Sequence, residues 1–475
     1  MESNTRCALV RRLASLGSVF ALSLVGFTTA NADFSSTSAG SFGSPVYQSI
    51  ASDNIWTLFQ RAEGYDAEYL QALSNHKAAF ESIEQAYGRM LPSISLNGRQ
   101  TRTHQRVMSS DNNIIGGEAA RSRFSYDVQR YGANLTQPLF DWERFSQIDK
   151  AEQQLYKADA ELALARQELI LRVAERYLTV LGAQDNLEFL QKEEAAVKKQ
   201  EEVALTRLKA KLGREADYLE AKARLASVYA DRLEAEITLD DAIEALREIS
   251  GAGAEKFFTL KEEIALEQPS PAVVEEWLDS SMKGNLRIQL QYRTMEEARE
   301  EIERQQAGHY PTLSLVGGWN REDVDGSLFG GGSDVETGEI SLQVQVPIFE
   351  GGQVSSRKRQ ATELYHVEID RLHQEKRSVA RETRLSFDQL NTSISRVESL
   401  KQAMDAQQVL VVTKRKGYPR LYTSMDVLDA ERDLYSAKRD WARARYDYLL
   451  ADLRLKAAAG SLQATDLESM NQLFN

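Results

Sequence analysis

Asp426 and Asp429 are the pair of residues in this chain whose type and spacing most suggest chemistry. Three apart, they share one face of a helix. They stand near the start of a helical stretch, where the helix dipole already favours negative charge, so capping or surface solvation is one reading. Catalytic sets are otherwise thin. The histidines are His76, His104, His309, His366 and His373. His366 and His373 are seven apart and could share a helix face, but no carboxylate stands at the spacing of an H-E-x-x-H metal site. There is no G-x-S-x-G and no P-loop. The run Gly330 to Gly332 is not followed by Lys-Ser/Thr and a helix start, so it reads as a loop. Pairs such as Glu193-Glu194 and Glu262-Glu263 read as solvated helix faces. No catalytic residue, metal or cofactor is expected, and the chain does not read as an enzyme.

The elements that would position the aspartates are long helices. Leu434, Trp441, Tyr448 and Leu455 recur every seven residues, with Ala437, Ala444, Ala451 and Ala458 three residues after each. Large residues facing small ones make a seam that permits close helix approach. An earlier stretch repeats the pattern with Tyr218, Leu225, Leu239 and Leu246, and with Ala221, Val228, Ala235, Ala242 and Ile249. Arg232 interrupts its first row. The partner helices should run from about Trp142 to Lys209 and from about Gln353 to Lys416. At 1.5 Å per residue each approaches roughly 100 Å, the length of a rod or a tube wall.

The chain is a duplication. Shifted by 209 it meets itself: Pro138-Leu139-Phe140 falls on Pro347-Ile348-Phe349, Asp217 on Asp426, and Gly251 on Gly460. Upstream, Leu91 to Leu96 resembles Tyr310 to Leu315 at a shift of 219. Each half reads as a helix, two strands and two very long helices. Helices are expected over Ala51–Gly88 and Ala272–Gln306. The strand pairs are expected over Ser93–Val107 with Phe124–Thr136, and over Thr312–Asp323 with Gly338–Val346. Ile340, Leu342, Val344 and Val346 alternate with polar residues, which marks a strand with one apolar face. Pro138 and Pro347 are placed where strand gives way to helix. The resulting division is 1–32, 33–50, 51–271, 272–462 and 463–475.

Residues 1–32 read as a cleaved secretory signal: Arg6, Arg11 and Arg12, an apolar run from Leu13 to Thr29, then Ala30-Asn31-Ala32. The run is short for a membrane anchor, the competing reading. Residues 33–50 form an N-terminal extension. The single cysteine, Cys7, lies in the leader, so a large core and not disulfides must hold the exported chain. The net charge is −13, and the part after residue 32 is more acidic still. Such a chain repels nucleic acid, and no basic stripe with interleaved aromatics argues otherwise. No segment after the leader has 18 uncharged apolar residues, so a membrane location would have to use β-strands. Four strands cannot close a barrel, and lipid does not satisfy a free edge. Either the strands form a soluble sheet, or several chains share one barrel. Trp319, Phe124, Tyr126 and Tyr131 lie in the strand pairs and suit a membrane-interface girdle or ordinary strand packing.

Asp426-Val427-Leu428-Asp429-Ala430, Leu434-Tyr435, Ala437-Lys438, Ala444-Arg445-Tyr446 and Tyr448-Leu449 together resemble the last long helix of TolC-like outer-membrane factors. Gly308 to Leu313, Leu239 to Ala242 and Leu246 to Gly251 match the same family in order. The resemblance spans residues 47 to 463. It implies a mainly helical fold with a β-barrel portion: duplicated long hairpins in an α-barrel, and four strands per chain in a shared 12-stranded barrel of a homotrimer. An equatorial belt would map to Ala252–Asn285 and the residues after Leu462. The implied partners are outer-membrane lipid, a periplasmic adaptor protein and an inner-membrane pump or ABC transporter. The implied function is passive export through the outer membrane of a Gram-negative bacterium. The family also implies that Asp426 and Asp429 point into the lumen at the periplasmic end. Threefold symmetry would make them rings that favour cations, with carboxyl pKa values raised by mutual repulsion. Tyr418 matches a tyrosine that ties the closed entrance. The turns between the long helices would be the tips that meet the adaptor, through Lys211, Leu212, Gly213, Arg420 and Leu421. Lys211 stands where the family has Gly, and the second turn is one residue shorter than usual. Leu212 and Leu421 either contact the adaptor or pack the turn.

The competing class is a coiled-coil scaffold or adhesin of the cell envelope. It accounts for the heptads and the acidity, but not for the duplicated strand pairs or the proline joints.

Overall fold

The computed structural model describes residues 54–106, 123–251, 257–261, 264–326, 331–418 and 420–474. All fall within one compact unit, Tyr47–Asn475. The leader and extension, Cys7, Glu262, Glu263, Gly330 and Pro419 lie outside the described residues, as does part of the expected belt.

The order of elements is helices α1 (Ile55–Tyr65) and α2 (Ala67–Gly88), strands β1 (Ser93–Arg106) and β2 (Arg123–Phe140), and helices α3 (Trp142–Lys209) and α4 (Glu215–Ser250). It then recurs as α5 (Val274–Gly284), α6 (Leu286–Gln306), β3 (Thr312–Val324), β4 (Ser333–Gln345), α7 (Gln353–Gly417) and α8 (Ser424–Ala459). A short helix, α9 (Ala464–Asn471), follows. Helices α3 and α7 have 68 and 65 residues, about 100 Å each. Among the described residues no helix is both long and apolar enough to cross a membrane.

Two expected helices are each split in two. Asp66 ends α1 and caps α2, its carboxylate accepting from the Tyr69 N–H at 2.9 Å. Asn285, 219 positions later, ends α5 and caps α6, accepting from the N–H of Arg287 at 3.0 Å. Both residues have extended backbones. A short polar side chain that replaces the missing intrahelical acceptor lets a helix stop and restart.

The four strands form one antiparallel sheet in the order β1-β2-β3-β4. Strand β2 runs through Pro138 to Phe140 and not only to Thr136. Its register shifts between Pro138 and Phe140. Pro138 is tolerated because β1 pairs with β2 only up to Thr136, so no ladder on that side needs its missing N–H. Strand β4 begins at Ser333, earlier than the expected Gly338, and ends two residues before Pro347.

The main core lies where α1, the middles of α3 and α7, the later part of α8, and α9 converge. It holds Phe59, Leu169, Tyr177, Leu181, Leu390, Leu453, Leu455 and Leu467. Phe257, Leu260 and Trp277 join it from the segment after α4 and from α5. The small-residue seam of α4 is buried throughout, at Ala221, Val228, Ala235, Ala242 and Ile249.

Candidate functional site

Opposite partners in an antiparallel ladder share a face. One face of the sheet therefore carries Ile94 and Leu96, Ala133 and Leu135, Leu313 and Leu315, and Ile340, Leu342 and Val344. Ile340 is 83% exposed and Leu96 is 82% exposed. The other face carries Ser95 and Asn97, Asn134, Asn320, and Ser341 and Gln343. From Leu313 to Trp319 the apolar face extends about 20 Å along the strand. That approaches the roughly 25 Å band of a membrane barrel. Beyond Trp319 the same face turns polar: Trp319 donates to Glu336 at 2.7 Å, and Arg321 meets Asp334 at 2.7 Å. Of the expected girdle, Trp319 and Tyr131 lie on the apolar face, whereas Tyr126 lies on the polar one. The side chain of Phe124 is outside the described residues. A second aromatic group, at the opposite end of the band, escaped the sequence reading. Trp142 packs edge-on against Tyr310 at 5.9 Å, with Phe145 and Phe140 beside it, at the joint between sheet and helices.

The other candidate site is the far end of the helical hairpins. Thr423 caps α8 in a reciprocal box with Asp426. The Thr423 N–H and hydroxyl both donate to the Asp426 carboxylate at 2.7 Å, and the Asp426 N–H donates to Thr423 Oγ1 at 3.2 Å. The Thr423 hydroxyl, and next its N–H, draw the Asp426 carboxyl below the ordinary aspartate range. Within the chain the direction is therefore opposite to that expected from like charges. The T-x-x-D spacing was a legible signal for this box. Asp429 lies one turn on, 3.6 Å from Arg432, which also binds Asp433 at 2.9 Å. Asp217, the counterpart of Asp426 at a shift of 209, pairs with Arg214 at 2.8 Å, and α4 has no side-chain cap.

Tyr418 terminates α7, and the Arg207 guanidinium of α3 sits 5.4 Å from the centre of its ring. Tyr418 thus joins the two tips within one chain. The first tip closes in the manner of a Schellman motif: Lys211 N–H reaches the Leu208 carbonyl, and Leu212 N–H reaches that of Arg207. The residue that must be left-handed there is Lys211, at φ +58°. In the second tip, the Leu421 N–H donates to the Gly417 carbonyl at 2.8 Å. The Tyr422 ring lies against Gly417 so closely that an added Cβ would meet it at 2.7 Å. Leu212 is 73% exposed and Leu421 80%, and Arg420 is exposed beside it. Gly213 is half-buried.

Behind the tips, α3, α4 and α8 are tied by charge. Glu193 is 1% exposed and binds Arg224 of α4 at 2.6 Å and Arg439 of α8 at 3.3 Å. It is not the solvated residue the sequence suggested. Around Glu193, helix α3 packs against both α4 and α8, so two of its faces are covered. Arg232, which interrupts the α4 seam, reaches Glu194 of α3 at 2.7 Å. Further along, the Tyr446 hydroxyl donates to Asp185 at 2.7 Å. Burial pushes the pKa values of both groups up. The histidines are dispersed: His76 meets Asp159, His104 meets Ser125, His309 meets Ser355, and His366 and His373 are exposed on α7.

An open sheet with one apolar and one polar face, continuous with helical hairpins about 100 Å long, suits a membrane channel with an extended outlet or inlet. Residues 58–252 and 277–461 match the family described as Outer membrane efflux protein. The chain belongs to that family. It is 31% identical over 441 residues to the outer membrane protein TolC of Vibrio cholerae, covering 92% of this chain and 97% of that one. It is 28% identical to the alkaline protease secretion protein AprF of Pseudomonas aeruginosa, over 85% of this chain and 83% of the relative. The fold resembles the outer membrane protein VceC of Vibrio cholerae, with TM-score 0.68, 19% identity, and coverage of 86% and 96%. It also resembles the CmeC outer membrane channel of Campylobacter jejuni, with TM-score 0.71, 15% identity, and coverage of 89% and 90%. The protein is an outer-membrane exit channel of a Gram-negative bacterium, with a periplasmic portion.

Proposed function

We propose that three copies of this chain build one exit duct, their sheets closing a 12-stranded barrel and their hairpins forming its periplasmic conduit. The observation that carries this reading is the sheet itself. It has two free edges, an apolar face and a polar face, and each strand pair leads into a long helix, the first at once and the second after a short connection. Closure between copies removes the free edges, turns the apolar face to lipid and turns the polar face to a water-filled lumen. Substrates reach the duct from an inner-membrane pump or ABC transporter through a periplasmic adaptor, which meets the tips at Leu212 and Leu421. These two residues are largely exposed and apolar, and they support that role. The name of the Pseudomonas relative keeps protein export beside efflux as a cargo class. The subunit itself hydrolyses nothing and holds no cofactor.

Asp426 and Asp429 form the carboxylate rings at the periplasmic entrance, and Tyr418 holds that entrance through Arg207. The Thr423 bonds favour the ionised form of Asp426 in its ring. Gly331→Cys should react with an impermeant thiol reagent on whole cells, and Leu212→Cys only after the periplasm is opened. Equal labelling of both on intact cells would refute the orientation. In planar bilayers, Asp426→Ala with Asp429→Ala should abolish cation selectivity. Unchanged selectivity would leave Asp426 as a helix cap and place the gate elsewhere.

A further inference from the structure

The two free edges of the sheet carry opposite charge. Strand β1 contains Arg99, Arg102 and Arg106 and no carboxylate. Strand β4 contains Asp334, Glu336 and Glu339 and no Lys or Arg. The inner strands mix both signs, as in Arg123, Asp127 and Arg130 of β2. On the polar face the contrast sharpens. Arg99 is the only charged residue that β1 places there, and Glu339 is the only one from β4. Neither has an ion-pair partner among the described residues. Arg99 instead stands directly across from Arg130, whose guanidinium is held by Glu322 at 2.9 and 3.0 Å. Like charges placed directly opposite are unfavourable, and Arg99 has no counter-ion among the described residues of its own chain.

We propose that Arg99 of one copy pairs with Glu339 of the next, and that this contact selects head-to-tail joining of β1 to β4 and sets its register. The inference rests on the reading that copies share one barrel. Joining β1 to β1 would oppose arginines, and joining β4 to β4 would oppose carboxylates. Only the heterologous contact brings opposite signs together, and only a heterologous contact can close a ring. Geometry agrees with the charges. Arg99 stands six residues from the helix-proximal end of β1, and Glu339 six from that of β4. Antiparallel joining with those ends level sets the two residues directly opposite on one face. A shift of two residues makes them diagonal neighbours, still within reach of long side chains. A one-residue slip would expose the polar row to lipid, so burial rejects odd slips and the pair acts against even slips larger than two, which burial alone tolerates.

The test uses the full exported chain purified in detergent, with its mass determined by light scattering. Arg99→Glu alone and Glu339→Arg alone should each lose the detergent-resistant trimer or dissociate at lower temperature. The double reversal, Arg99→Glu with Glu339→Arg, should restore it. Separately, Arg99→Cys with Glu339→Cys, in the exported chain, which holds no other cysteine once the leader with Cys7 is removed, should give intermolecular disulfides on oxidation. Neither single cysteine variant should do so. A double reversal no better than the single reversals overturns the proposal, as does a cysteine pair that never cross-links in a trimeric protein. If the reversals do not accumulate, the cysteine pair decides alone. A wild-type chain that is not trimeric refutes the shared-barrel reading itself, an outcome distinct from failure of the pair.

Discussion

Asn285 donates from its side-chain nitrogen to the Ala458 carbonyl at 2.9 Å, joining the start of α6 to the end of α8. Its side-chain oxygen meanwhile caps α6. The contact is close because Gly460, at φ +74°, lies directly on Gly284, where an added Cβ would meet backbone at 2.2 Å. Asn285→Ala removes a cap and leaves a helix-end carbonyl without its donor, together about 2 to 4 kcal/mol. Asn285→Ser keeps a capping oxygen but is too short to reach the Ala458 carbonyl. In denaturant unfolding the alanine variant should be the less stable of the two. Equal stability would show that the Ala458 contact contributes most of the effect.

Glu193 should be among the least replaceable residues of the hairpins. Glu193→Gln leaves Arg224 and Arg439 facing each other with no counter-charge. Breaking such a buried set costs about 3–5 kcal/mol, and about 2 to 4 kcal/mol here because both arginines are a quarter exposed. A loss below about 1 kcal/mol in equilibrium unfolding would mean that water screens the cluster.

Lys211 holds a left-handed conformation that disfavours side chains by about 1 kcal/mol or more. Lys211→Gly should therefore tighten the first tip. Amide hydrogen exchange at Leu212 should slow about fivefold, the equivalent of roughly 1 kcal/mol. Faster exchange would show that the lysine side chain holds the turn.

Acid should loosen the junction of α6 with α3. Burial alone would raise the Glu301 pKa, but hydrogen bonds from Arg304, Gln305 and Lys150 outweigh it and bring the value down to about 2. The folded pKa lies below the unfolded one. The stabilisation is therefore complete above about pH 4.5 and is lost as pH falls toward 2, on the order of 3 kcal/mol in all. Glu301→Gln should be less stable than wild type at neutral pH, and the gap should close across that window. A gap independent of pH would assign the effect to packing.

Periodicity in the sequence determined the long helices, the four strands and the doubling of the pattern. Trp142 to Lys209 is helical over the range expected, and Ile340, Leu342 and Val344 share one face as their alternation required. Such features depend on near neighbours in the chain, which is why spacing reveals them. Tertiary structure decided what depends on which surfaces meet. The sequence made Glu193 a solvated residue, and only the packing of α3 against both α4 and α8 placed it between Arg224 and Arg439. Arg232 looked like a defect in a seam until Glu194 stood across from it. The breaks at Asp66 and Asn285 were hidden because a capped restart has no apolar period of its own. The opposite charges of β1 and β4 were present in the sequence throughout. They acquired meaning only when sheet order made those two strands the edges and strand pairing put Arg99 and Glu339 on the same face.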